Sequence, residues 1–423
     1  MTALAVESGI AGQLAALVSP LAGGALPVRL RAWDGSESGP AGGPVLVIRD
    51  RKALRRLMWS PDELGLAQAY IAGEIDVEGD LGAGLRQVWQ QARARGLARG
   101  GVRVGLGDKL RAVRTLLRLG VLGPKPPAPD VQARIVGDLH SRERDRAAIS
   151  YHYDLSNEFY ALILDERMAY SCGYWTSDAP GYGLAEAQTD KLDLVCRKLG
   201  LEPGMRLLDV GCGWGALGLH AAKNYGVTVT GVTLSREQLA FAQARVGGLP
   251  VDFRLQDYRD VADGPYDAIS TIEMGEHVGQ GQYPVFAAQL HRLLRPEGRL
   301  LVQQMSRGAT APGGGAFIES YVAPDMHMRP VGQTVDLLEQ AGLEVRDVHA
   351  LREHYVRTVG VWLETLEARW DAVVALVGEP MARVWRLYLV GGALTFEEGR
   401  MGVDQILAVR PTETGVSGMP ATR

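Results

Sequence analysis

The chain has 423 residues, 46% of them hydrophobic and 22% charged, and a formal net charge of −4. This is the composition of a globular protein with room for roughly two or three domains, and it excludes both a disordered polymer and an overall basic nucleic-acid binder. The three cysteines, Cys172, Cys196 and Cys212, lack metal-ligand spacing, which fits a reducing compartment without a structural metal.

No apolar run approaches the roughly 18 residues of a membrane span. Glu7 ahead of the first apolar stretch, with no basic segment before it, argues against a signal peptide. VRLRAW (28–33) and VLVIRD (45–50) read as paired strands around a Gly/Ser-rich turn, and RKALRRLMW (51–59) and DELGLAQAYIAGEIDV (62–77) read as helices. Nothing in this small α+β unit has catalytic spacing, so its default role is packing or substrate delivery.

A basic belt follows: Arg86, Arg93, Arg95, Arg99, Arg103, Lys109, Arg111, Arg114 and Arg118, opposed only by Asp108. Leu106, Leu110, Val113, Leu116, Leu117 and Val121 recur among the later charges at helical spacing. A basic amphipathic helix suits an anionic membrane surface; the other reading is an inward-packed helix with solvated arginines. GPKPPAPD (123–130) cannot continue a helix and reads as a stiff connector. The expected division is an N-terminal lipid or substrate-delivery domain (1–122), the linker (123–130), a catalytic domain (131–410) and a tail (411–423).

LLDVGCGWGALGLHAA (207–222) reads as a buried parallel strand, a turn with Gly211, Gly213 and Gly215, and a helix. VTVTGV (227–232), VDFRLQD (251–257), YDAISTIEM (266–274) and GRLLVQQMS (298–306) continue as strands. SREQLAFAQARV (235–246), capped by Ser235, and PVFAAQLHRLL (284–294) read as the helices between. Alternation of this kind predicts an α/β fold with a doubly wound parallel sheet and a ligand at the carboxyl ends of its strands, across the 209–215, 231–238 and 257–258 loops. GATAPGGG (308–315) is a low-complexity loop where lids often lie. TVDLLEQAGLEVRDV (334–348) reads as a helix and strand, and 361–376 and 381–399 as core helices.

The order of Asp209 before a G-x-G-x-G turn resembles motif I of class I S-adenosylmethionine (SAM) methyltransferases. HYDLSNEFYALILDERMAYSCGYW (152–175), LLDVGCGWG, QDYRD (256–260), EHVG (276–279) and HY (354–355) together resemble the cyclopropane fatty acid synthase and mycolic acid methyltransferase family, over essentially the whole chain. GLAQAYIAGEIDVEGDL (65–81) resembles the N-terminal domain of its phospholipid-modifying members. The resemblance implies SAM at Asp209, Gly211, Gly213, Thr233 and Gln238, with Tyr170 and Ser171 above it and Asp257 and Tyr258 flanking the adenine. It also implies methyl transfer to an unsaturated acyl chain through a carbocation. Tyr153, Tyr170, Tyr174 and Trp175 are candidates to face that cation, and helices near the C-terminus would cover the acyl tunnel.

In the cyclopropane-forming relatives a bound bicarbonate removes the proton, held by a cysteine backbone, a glutamate, a histidine, an isoleucine backbone and a tyrosine. The resemblance matches Cys172, Glu276 and Tyr355 to three of these. Where the family reads LLHTI, this chain reads LVQQM (301–305), with Gln303 at the histidine and Met305 at the isoleucine. Glutamine cannot carry positive charge, so bicarbonate would be held less strongly, with His277 a candidate to compensate. Glu273, one helical-like turn before Glu276, could pair with it for acid–base work, but a hydrogen bond to the adjacent loop is the role favoured here. These departures favour a 10-methylene fatty acyl product, later completed by a separate reductase, with cyclopropane formation as the alternative. The expected partners are an unsaturated phospholipid and the anionic inner face of the membrane, from the cytoplasmic side; nucleic acid is not expected and a homodimer is allowed. A lipid-binding protein with a degenerate core is disfavoured by the intact glycines, Glu276 and Tyr355, and a small-molecule methyltransferase by the N-terminal unit and the belt.

Overall fold

The computed structural model describes residues 9–19, 24–95, 114–153, 155–308 and 315–421. The chain forms two compact units, Met1–Gln132 with Glu379–Leu394, and Ala133–Gly378 with Thr395–Arg423. The sequence division assigned residues 379–394 to the catalytic region, whereas the structure groups them with the first unit. Arg383 is one tie, its buried guanidinium bonding the Tyr70 carbonyl at 3.2 Å and the Asp76 carboxylate at 3.1 Å.

In the first unit, β1 (Arg29–Arg31), β2 (Glu37–Ser38), β3 (Val45–Ile48) and β4 (Ile75–Glu78) form a sheet of order β2-β1-β3-β4. The two strands expected from sequence do pair, but in parallel, because β2 takes the antiparallel place beside β1. The helix expected over 62–77 ends at Ile71; Gly73, at φ +69°, turns the chain and β4 pairs antiparallel with β3. Buried Arg56 and Glu74 lock that turn to the helix Lys52–Trp59 with a 2.7 Å ion pair. Arg86 and Arg93 of the belt lie on the helix Leu81–Ala94. Residues 96–113, with Arg99, Arg103, Lys109 and Arg111, lie outside the described residues.

The second unit is built on a sheet of seven strands, order β10-β11-β9-β8-β5-β6-β7. These are β5 (Arg206–Val210), β6 (Thr228–Thr233), β7 (Val251–Leu255), β8 (Tyr266–Ile272), β9 (Leu294–Arg307), β10 (Glu344–Ala350) and β11 (Met401–Val409). β5 to β9 pair in parallel, while β11 runs antiparallel between β9 and β10. On one face the helices Leu184–Leu199 and Ala216–Tyr225 bury Leu192, Val195, Leu217 and Ala221 against Leu207, Val229 and Leu301. On the other, Phe286, Leu290 and Leu338 pack on Leu208, Ile269 and Leu300. Apolar burial on both faces is what an uninterrupted Val/Ile/Leu strand requires.

The strand order reverses next to β5: the chain winds outward through β6 and β7, then returns to lay β8 on the other side. A reversal of this kind splays the connecting loops and leaves a crevice at the strands' carboxyl ends. Val210 and Ile272 end the two strands there, so the glycine turn and Glu273 face the same crevice. Among the described residues no helix is long and apolar enough to cross a membrane. Residues 309–314 of the low-complexity loop are outside them.

Candidate active site

The crevice opens into a cavity of about 1310 Å³, mouth included. Asp209, Gly211, Gly213, Thr233, Gln238, Asp257, Tyr258, Tyr170 and Ser171, the full expected cofactor set, line it. Gly211, Gly213 and Gly215 all have positive φ, at 79°, 54° and 84°, so the turn has a left-handed backbone that glycine adopts without strain. They do different work. A Cβ on Gly211 would stand 2.8 Å from Met274 Cγ, and one on Gly215 would stand 2.6 Å from the Phe253 ring; these two let neighbouring side chains approach. A Cβ on Gly213 would meet only Gln238 Nε2, at 3.9 Å, and so would enter the cradle itself.

Ser235 caps the helix Arg236–Ala244, and the Thr233 hydroxyl donates to Gln238 Oε1 at 2.9 Å, which fixes both side chains at the end of β6. Burial would raise the Asp257 carboxyl, but Arg259, bonding it at 2.6 and 2.8 Å, holds it below the usual range. Tyr258 packs edge-on to Phe286. Burial pushes Asp209 up to about 6, a rise opposed by the Ser270 hydroxyl at 2.8 Å and by the charge of Lys191.

Lys191 was not singled out from sequence. It lines the cavity, buried, with its ammonium 2.8 Å from Ser171 Oγ; burial lowers its pKa, while Glu273, Asp165 and Asp209 work against that. Its signal is a cation on the buried stripe of Leu184–Leu199, among Ala187, Leu192, Val195 and Leu199.

Three of the groups expected around a bicarbonate, at Cys172, Gln303 and Tyr355, come together instead on the side chain of Glu273. The Cys172 backbone N–H and Gln303 Nε2 each donate to Glu273 Oε1 at 2.8 Å, and the Tyr355 hydroxyl donates to Glu273 Oε2 at 2.6 Å. Glu273 lines the cavity. Burial pushes its carboxyl up, and the bonds from Tyr355, Cys172 and Gln303 and the charge of Lys191 oppose the rise. Its φ of +52° places a non-glycine side chain in the left-handed region, at a cost of about 1–3 kcal/mol that the three donors offset. Gln405 on β11 donates to Gln303 Oε1 at 2.9 Å, leaving the Gln303 amide nitrogen toward Glu273. Thr358 Oγ1 accepts from the Gly173 N–H and the Trp175 indole, clamping the 172–175 segment so that the Cys172 N–H points at the carboxylate.

Glu276, the glutamate carried over from the family, lies outside the cavity lining, because the short 3-10 turn Gly275–His277 swings it under β9. There its Oε1 accepts the Met305 N–H and its Oε2 is buried without a partner. Burial, then the nearby Glu273 charge, pushes it up to about 8. His277 lines the cavity, but burial lowers it to about 4, so it is neutral at pH 7 and supplies no compensating charge. The Cys172 side chain points away, with its thiol against the Gly173 and Leu351 carbonyls.

Tyr153 and Tyr170 line the cavity with Trp214, and the rings of Tyr170 and Trp214 stand 6.1–6.2 Å from Tyr153, edge-on to it. Tyr170 continues to Trp362 at 5.1 Å, and Trp362 to Tyr355 at 6.0 Å. Tyr174 and Trp175 do not line the cavity: Tyr174 packs at a tilt against His354 and Trp175 lies under Arg357. The single helix expected over 361–376 is two, Arg352–Ala368 and Trp370–Val377, and the first buries Tyr355, Thr358 and Trp362 on its inner face.

A glycine cradle at the switch point of this strand order defines a class I SAM methyltransferase, and SAM is its cofactor. Residues 140–406 match the family model described as mycolic acid cyclopropane synthetase. The chain is 37% identical to a probable fatty acid methyltransferase of Pseudomonas putida, over 94% of this chain and 95% of that one. It is 36% identical to the cyclopropane-fatty-acyl-phospholipid synthase of Escherichia coli strain K12, over 71% and 78%. Among solved structures, the mycolic acid cyclopropane synthase CmaA1 complexed with SAH and CTAB superposes with a TM-score of 0.59 at 33% identity, over 62% of this chain and 97% of that one. The chain therefore belongs to the cyclopropane and mycolic acid synthase family of SAM-dependent lipid methyltransferases.

Proposed function

We propose that this chain methylates the cis double bond of an unsaturated acyl chain in a phospholipid and releases a chain of the 10-methylene type. The observation that carries the reading is a buried carboxylate, Glu273, that lines the same cavity as the glycine cradle, Tyr153, Tyr170 and Trp214 and has neutral Gln303 beside it. When bound, SAM supplies a methyl group on a positively charged sulfur, which the alkene's π electrons take up as the carbon–sulfur pair stays with sulfur. An isolated alkene is a poor nucleophile, so the cavity must hold it in line and exclude water. Tyr153, Tyr170 and Trp214 offer π faces to the cation left on the neighbouring chain carbon, each worth about 0.5–2 kcal/mol, and none of them captures it.

The fate of that cation depends on timing. If a proton leaves the new methyl at once, its C–H electron pair closes a ring onto the cationic carbon. If a hydride first migrates from the methyl-bearing carbon, the cation becomes tertiary and loss of the methyl proton gives an exocyclic methylene. A carboxylate held by three donors is a tempered base, and slower proton removal favours the second course. A separate reductase would then be needed to make a methyl branch. The first unit, with its basic residues, would dock the protein on the anionic cytoplasmic face of a membrane.

The test is expression in a host rich in oleoyl phospholipids, followed by mass spectrometry that locates double bonds, since the two products have equal mass. A methylene on the former double-bond carbon is expected. Cyclopropane as the main product would overturn the product assignment, and no new acyl species would overturn the reaction.

A further inference from the structure

The resemblance drawn from the sequence implies a bound bicarbonate as the base, with the Cys172 N–H, Tyr355 and, at the histidine position, Gln303 among the groups that would hold it. All three already donate to one side chain, with Glu273 Oε1 receiving two of the bonds and Oε2 the third. Bicarbonate does not fit this arrangement. It would compete with a buried carboxylate for the same donors, next to that carboxylate's charge, and neutral Gln303 offers no balancing cation. The chain supports Glu273 as a fixed component. Its left-handed backbone turns the side chain back onto the donors, and Gln405 holds the Gln303 amide in the orientation that donates to it. It also lines the same cavity as the glycine turn and its own neighbour Met274, which packs against Gly211.

We propose that the carboxylate of Glu273 stands in the place of bicarbonate and is itself the base of the reaction, so that this enzyme turns over without the anion. The inference rests on the reaction proposed above. After the hydride shift the proton leaves the methyl carbon, and its C–H electron pair becomes the π bond of the exocyclic methylene, neutralising the cationic carbon. Glu273 becomes the neutral acid and returns the proton to water once product has left. Tyr355, Gln303 and the Cys172 N–H are positioning groups that hold the carboxylate charged and aimed.

The test removes the side chain and offers the anion back. Glu273→Gly relieves the left-handed strain and opens a space lined by the same three donors. In carbon-dioxide-free buffer the parent enzyme is expected to keep full turnover, and Glu273→Gly to lose about 10²–10⁴-fold, the range for a general base. Added bicarbonate or formate should restore part of the loss. Without any lipid, either anion should raise the melting temperature of Glu273→Gly and leave that of the parent unmoved. If Glu273→Gly does not fold, Glu273→Gln keeps the shape and should lose turnover while SAM affinity, read by calorimetry, is unchanged. Parent turnover that needs bicarbonate, full turnover of either variant in its absence, or equal anion shifts in parent and Glu273→Gly would overturn the proposal. A parent that makes no methylated lipid would sink the reaction instead, and the melting measurement would still decide the site.

Discussion

The hydroxyl of Tyr355 donates to the carboxylate of Glu273 at 2.6 Å, joining the inner face of the helix Arg352–Ala368 to the end of β8. Hydrogen bonds to an ionised partner contribute about 1.5–3 kcal/mol, so Tyr355→Phe should lower turnover roughly tenfold or more. The sign of its pH effect follows from the bond. Tyr355 favours the charged form of Glu273, so removing it raises that pKa. A base works only when deprotonated, and the acidic limb of the kcat/KM profile should therefore move to higher pH. A limb that stays in place, with turnover merely lowered, would reduce Tyr355 to a packing residue.

The glycine turn predicts two different failures. At Gly213 a side chain enters the cradle and touches little else, so Gly213→Ala should weaken SAM binding at least tenfold, ~1.4 kcal/mol, and leave the melting temperature within a few degrees. At Gly211 the added carbon strikes Met274, so Gly211→Val should lower the melting temperature as well as affinity. Calorimetric titration with SAM and thermal unfolding of both variants separate the cases; unaltered SAM affinity in Gly213→Ala would remove this residue from the cofactor site.

Glu276 predicts a dependence of stability on pH. Its folded pKa of about 8 lies above the ordinary 4.5, so between those values the native state holds a proton that the unfolded chain has released. Stability from this group is complete below 4.5 and lost as pH rises through 8, with a ceiling of about 1.4 kcal/mol per pH unit. His277 and His152, lowered to about 4 and about 3, act in the other direction below 6.5. Between 6.5 and 8 those two histidines add no slope, and comparison with a variant that cannot ionise isolates Glu276. Glu276→Gln, which cannot ionise, should gain on the parent across that window in urea unfolding. Parallel curves for the two proteins would show that Glu276 does not titrate there.

The sheet was readable from sequence because its signals are local. LLDV, VTVTGV and YDAISTI are apolar runs ended by glycine or by a polar loop, and the observed β5, β6 and β8 fall within a residue or two of them. Part of the cavity lining was legible in the same way, since Gly211, Thr233, Asp257 and Tyr258 sit at or just after the ends of β5, β6 and β7, whereas Tyr170 and Ser171 follow a helix and rest on the resemblance alone. The donor cluster around Glu273 escaped for the opposite reason. The donors come from residues 172, 303 and 355, and the direction of the Glu273 side chain depends on a positive φ that no periodicity encodes. Glu276, one 3-10 turn away, carries the motif but faces β9. The helix expected over 62–77 stops short for a simpler reason: Gly73, at a positive φ, breaks the helical period, and IDVE after it alternates as a strand does.

The first unit carries the membrane prediction. Trp59 is 55% exposed and its indole donates to the Gly123 carbonyl at 3.1 Å, beside Leu122, which is 48% exposed. Arg55 fixes the same segment by bonding the Val121 carbonyl at 2.8 Å, and exposed Arg114 and Arg118 precede it with Leu117 between them. An amphipathic indole, two exposed leucines and nearby cations match what a headgroup interface takes up, with each cation contributing about 1 kcal/mol near an anionic surface. Arg114→Gln with Arg118→Gln should therefore weaken sedimentation with vesicles containing phosphatidylglycerol by roughly tenfold at low salt, and the gap should close as salt screens the charges. Trp59→Ala should weaken binding at every salt concentration, because its contribution is burial of the ring. Neither change should alter SAM affinity, since these residues belong to the other unit from the cradle. Equal vesicle binding by parent and all three substitutions would assign this surface to packing or to another partner and return membrane docking to residues 96–113.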